Sequence, residues 1–177
     1  MVNSVAVIST IAAVVSAIGG AFAAVAAFRS AESARAANET AQISEKRVAL
    51  RELTIIANKI SVEGLRANKR GGELKMAYQT LFTFAESSGG SRQVMYLAEV
   101  NEKLKEIEEL SDLANPFLSG PESLMNGPVQ EILSREIRMA QTLTKMRGIR
   151  EDLELEYAGI EAQNKTYRDK VVQGSGH

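Results

Sequence analysis

Apolar side chains are arranged on two scales along this chain. From Val5 to Phe28 they run without a single charge, as VAVISTIAAVVSAIGGAFAAVAAF. After Arg29 they recur at every third or fourth position among charged residues. That recurrence predicts helices, and strand-like alternation is almost absent. The expected fold class is all-α: a single N-terminal transmembrane helix, then a cytoplasmic bundle of three to four helices with long first and last members. The expected divisions are an anchor over 1–28, a stalk and bundle over 29–173, and a linker with a tag remnant over 174–177.

Within the bundle, no proline or glycine occurs between Phe28 and Glu63, which predicts one long helix continuing from the anchor. Its stripe is Ile43, Leu50, Leu53, Ala57, Ile60 and Gly64, broadened by Ile56 and Leu65. Arg70-Gly71-Gly72 reads as a stop, because glycine takes the left-handed cap and basic residues suit a helix C-terminus. A short helix is expected from Glu73 to Glu86, a turn from Ser87 to Ser91, and a further helix from Arg92 to about Ala114.

The stretch 115–128 holds all three prolines. Phe117, Leu118, Leu124 and Met125 make it too apolar for a free linker, so it is expected to pack over the bundle end. The last helix starts at Val129. Ile132, Met139, Met146, Leu153, Ile160 and Tyr167 recur in it at intervals of seven. The companion positions are interrupted by Glu136, Arg150 and Asn164, which weakens a two-stranded coiled coil. The expectation is a helix lying antiparallel on the first, with those three residues at an edge between packed and wet surface.

The 24 uncharged residues of 5–28 span about 36 Å as a helix, enough for a hydrocarbon layer of about 30 Å. Arg29, Arg35, Lys46 and Arg47 follow the run, and no basic side chain precedes it. Basic flanks stay on the cytoplasmic side, so the expected location is the inner (cytoplasmic) membrane, with a short N-terminus outside. The run is rich in small residues. Ser16, Gly20 and Ala24 form one line, and Ala13, Ala17 and Ala21 form another beside it. Small residues let membrane helices approach closely, so these six are the expected oligomerisation contacts. The layout broadly resembles small bacterial single-pass proteins with cytoplasmic helical domains, in architecture only.

Chemistry is sparse. There is no cysteine and no tryptophan, and the one histidine is His177 in the tag-like tail. That removes the usual thiol, imidazole and metal chemistry. No catalytic, cofactor-binding or metal-binding residues are expected, no cofactor, and no enzyme activity. Residues 29–70 carry nine basic and five acidic side chains; the remainder carries twelve and seventeen. The basic cluster Arg66, Lys69, Arg70 and Lys75 is too short to argue for nucleic acid and reads as a solvated helix end. The expected partners are a lipid bilayer, further copies of the chain and a cytoplasmic protein. The expected function is a homo-oligomeric membrane-anchored structural or interaction protein. A pore or membrane-perturbing effector is one alternative, and a component of a phage or secretion machine is the other.

Overall fold

A computed structural model describes the backbone of residues 2–118 and 121–174, and the side chains of Gly20, 23–118 and 123–173. All described elements are helical: α1 (Val2–Phe84), α2 (Ser91–Asp112), α3 (Asn115–Leu118), a 3-10 turn (Pro121–Asn126) and α4 (Val129–Gly174). Two compact units are present, 1–45 and 46–177. Every described side chain of the first is exposed. The second contains the core.

Among the described residues no helix is long and apolar enough to cross a membrane. Where the side chains of α1 are described, the apolar stretch ends at Phe28, and Arg29, Glu32, Arg35 and Glu39 follow. This finding overturns the expected transmembrane helix and the single-pass topology. With them go the inner-membrane location, the outside N-terminus and the cytoplasmic placement of the bundle. Most of the 5–28 run itself lies outside the residues whose side chains are described. The fold that stands is an all-α bundle of three long helices.

The core begins at Ala49. Leu50, Leu53, Ala57, Ile60, Ala67, Leu74 and Tyr78 are buried along α1, with Gly64 and Gly71 between them. Their spacing alternates three and four without interruption, the seam of a supercoiled bundle. Ile43 and Leu65, expected on the stripe, are exposed. Ile43 precedes the packed unit. Leu65 lies next to Gly64 but turns about 100° away from the seam.

The helix does not stop at Gly71-Gly72. A side chain at Gly71 would place its Cβ 2.5 Å from Cδ2 of Leu104, and one at Gly64 would lie 2.6 Å from Oγ of Ser111. These glycines let α2 approach the α1 backbone, which offsets the roughly 1 kcal/mol each costs in a helix interior. Nothing in the structure explains Gly72. The real terminus comes later. Ser87 N–H donates to Phe82 O (3.0 Å) and Glu86 N–H to Thr83 O (3.2 Å), the paired bonds of a Schellman cap. Its left-handed position is Glu86, at φ 51°, where glycine is the usual occupant.

Because α1 is unbroken, the bundle runs up, down, up. Gly64 lies near Ser111 and Gly71 near Leu104, so α2 is antiparallel to α1. Among the polar contacts that tie α1 to α4, three share one spacing. Glu63 meets Arg150, the Arg70 guanidinium lies over the Tyr157 ring, and Asn164 donates to Ala77 O. Each pair is 87 residues apart in sequence. The two helices are therefore parallel and in register, not antiparallel as expected. At the far end the Phe84 and Tyr167 rings stack at 6.4 Å.

Ile132, Met139, Met146, Leu153 and Ile160 are buried, whereas Tyr167 is exposed. Glu136 and Arg150 are half-buried at the edge of the seam. Asn164 is fully buried, against the expectation of a wet edge. Its amide finds the Ala77 carbonyl at 2.9 Å, while its own Oδ1 has no hydrogen-bond partner among the described residues. At the near end, α2 is too short to cover α1 and α4. Phe117, Leu124 and Met125 from α3 and the 3-10 turn pack there against the core. Lys46 Nζ closes that end on Met125 O at 3.3 Å.

Candidate ligand cleft

The sites expected from sequence fare unevenly. Ser16, Ala13, Ala17 and Ala21 lie outside the residues whose side chains are described. Gly20 and Ala24 are exposed, and a Cβ on Gly20 would meet nothing within 4 Å. The basic cluster is not at a helix end, since α1 continues through it. Arg66 pairs with Glu63 at 3.3 Å, and Glu73 receives Arg70 at 2.6 Å and Lys69 at 3.9 Å. Intramolecular carboxylates thus occupy most of these cations, leaving little for a bound anion.

Two part-buried clusters join the helices. Arg150 donates to Glu154 at 2.8 Å and lies 2.9 Å from Glu63 Oε2. That second contact is ionic and not aligned for hydrogen bonding, since Nε and Oε2 both lack a hydrogen-bond partner among the described residues. Burial lowers the Arg150 pKa, but the three carboxylates around it outweigh burial and raise it above its ordinary value. The other cluster is Tyr78, Glu156 and Lys103. Tyr78 Oη donates to Glu156 at 2.6 Å, and Lys103 donates to its other oxygen at 2.9 Å. The Tyr78 ring stacks on Tyr96 at 5.1 Å.

Burial alone would raise the Glu156 pKa, yet the hydrogen bonds from Tyr78 and Lys103 hold it below the ordinary glutamate range. Burial, then the Glu156 hydrogen bond and charge, push Tyr78 well above the ordinary phenol value. Each carries a linkage of fixed sign. The lowered carboxyl contributes stability present above the ordinary glutamate pKa and lost as pH falls below it. The raised phenol contributes stability present below about pH 10 and lost as pH rises past it. Tyr78→Phe should therefore flatten both edges of the stability–pH curve. Urea midpoints from pH 2 to 11 measure this; an unchanged curve shape would refute it.

Helix pairing explains both clusters, although Glu63 also lines a shallow hollow of about 400 Å³ with Ile55, Asn58, Lys59, Val62 and Arg66. A roomier cleft lies elsewhere, where α2 ends and α4 begins. Its volume is about 530 Å³. Phe117 and Met139, both nearly buried, form an apolar floor, with Leu113 at the margin. Glu131, Arg135 and Arg138 supply charge, and Ser134 and Thr142 supply hydroxyls. The spacing of four, three and four through Glu131, Arg135, Arg138 and Thr142 puts them on one face of α4.

Phe117 gets there because α3 folds back after α2, its N–H donating to Ala114 O at 3.0 Å. Arg135 pairs with Glu131 at 2.6 Å, its guanidinium carbon 5.9 Å from the Phe117 ring centroid. Arg138 is exposed and makes no ion pair among the described residues. The sequence reading placed Phe117 in a packed segment but missed both arginines. Their signal was the shared face, which only becomes a site once Phe117 lies beside it. Among the described residues no group of three or more histidine, cysteine or acidic side chains is placed to hold a metal ion.

The expected bilayer, additional copies and cytoplasmic protein gain no support, because the span that motivated them is not found among the described residues. The membrane-anchored oligomer, the pore and the delivery component rested on that span and are set aside with it. No family model, curated protein or solved structure matches this chain.

Proposed function

We propose that the 46–177 unit is a non-enzymatic ligand-binding helical domain, with its site in the cleft between the α2 end, α3 and α4. The observation that carries this reading is the cleft itself: apolar at its floor, charged at its rim, and of the size small ligands occupy. The polar residues on its walls converge from one helix face onto that floor. The non-catalytic half is supported by composition, since the chain has no cysteine and only the terminal His177. The hydroxyls at the cleft are also committed. Ser134 donates to Glu131 O and Thr142 to Arg138 O, so neither is activated by a base.

Amide and methyl NMR spectra recorded against a set of small aromatic and aliphatic compounds test the reading. Shifts concentrated at Phe117, Met139 and residues 131–142 are expected. Shifts spread evenly over the bundle, or confined to another part of it, would refute it.

A further inference from the structure

We infer that the ligand of this cleft is an organic oxyanion, a carboxylate or phosphate ester on an apolar or aromatic body, and that Glu131 is its built-in competitor. The inference rests on the ligand-binding reading above. Two guanidinium groups stand less than one turn apart on α4, and they differ in state. Arg135 is held by Glu131 at 2.6 Å; Arg138 has no ion-pair partner among the described residues. A guanidinium fork matches an oxyanion in geometry as well as charge, so Arg138 offers the first contact. Phe117 and Met139 lie alongside, nearly buried, and suit a ring or alkyl body.

Glu131 defines the rest of the site. Its side chain is 42% exposed, so it is free to turn toward water. While it holds Arg135, it occupies the second guanidinium and repels an incoming anion. A ligand that displaces it gains both arginines. The cleft thus favours ligands whose anion outcompetes a surface carboxylate, and a doubly charged phosphate ester does so better than a neutral molecule of the same shape.

Three probes separate the parts of this inference: phenyl phosphate, inorganic phosphate and benzyl alcohol, each titrated by NMR into the full chain. Wild type, Glu131→Gln and Arg138→Gln are compared, with circular dichroism as the control for folding. Phenyl phosphate is expected to bind at the cleft, about fivefold tighter to Glu131→Gln and about tenfold weaker to Arg138→Gln. Inorganic phosphate binding as tightly as phenyl phosphate would overturn the apolar half of the inference. Benzyl alcohol binding as tightly, with both variants indifferent, would overturn the anionic half while leaving a binding cleft in place. If none of the probes perturbs the cleft, the inference and the ligand-binding reading fall together.

Discussion

Replacing Leu153 with alanine should lower the unfolding free energy of the bundle by about 2–5 kcal/mol. Leu153 is fully buried midway along α4, in the seam series that also includes Met146 and Ile160. Truncation removes its transfer free energy and leaves a cavity. The helices around it cannot collapse to fill that cavity, because polar contacts on α1 and α4 hold their register on both sides. Leu155, two residues on, is 74% exposed, and Leu155→Ala should change stability by no more than about 0.5 kcal/mol. All four tyrosines lie in the 46–177 unit, so urea unfolding followed by near-ultraviolet circular dichroism reports on it directly. Equal losses for the two variants would mean that the α4 seam is not the core.

Glu63→Ala should cost about 2–3 kcal/mol, somewhat below the usual penalty for breaking a buried ion pair. Glu63 is nearly buried and holds Arg150 and Arg66. Its removal leaves Arg150 with one carboxylate fewer at a site only 20% exposed. The loss is moderated because Glu154 and Glu151 remain in reach of Arg150. Replacing both partners, as Glu63→Leu with Arg150→Met, should recover most of the stability, since no charge is then left buried. A double variant less stable than Glu63→Ala would show that the pair is worth more than its desolvation costs.

The same contacts explain why the register is unique. A slip of one heptad would bring Arg150 beside Arg70 and Asn164 beside Phe84. Asn164 is a single amide in an apolar seam, satisfied by Ala77 O only in the observed alignment. In a slipped alignment the amide loses this acceptor, and a buried donor left without one costs free energy.

Much of the bundle was legible in the sequence because its signals are local. The period of α4, its start at Val129 and the limits of α2 follow from spacing and from proline. The parallel pairing of α1 and α4 was not legible, and one local misreading accounts for it. Gly71-Gly72 after Arg70 has the composition of a helix cap, yet Gly71 serves a helix crossing with Leu104, whose partner is distant in sequence. Counting a break there adds a helix and reverses the direction of the last one. The phase of the pattern did hold the answer, since Gly64, Ala67, Gly71, Leu74 and Tyr78 keep one seam across the glycines. The burial of Asn164 was illegible for a related reason: its partner is a backbone carbonyl, which leaves no mark in the sequence. The cleft arginines were hidden because their neighbour Phe117 arrives by way of an irregular segment.

The up-down-up path has a mechanical consequence. The chain joins the packed unit at Lys46, beside Met125, and leaves it past Tyr167, beside Phe84, at the opposite end. A pull between these two points is carried along the bundle and drives α1 and α4 past one another in shear. The polar rungs and the apolar layers between them are then loaded together, so the unit resists tension as a whole and does not unzip one contact at a time.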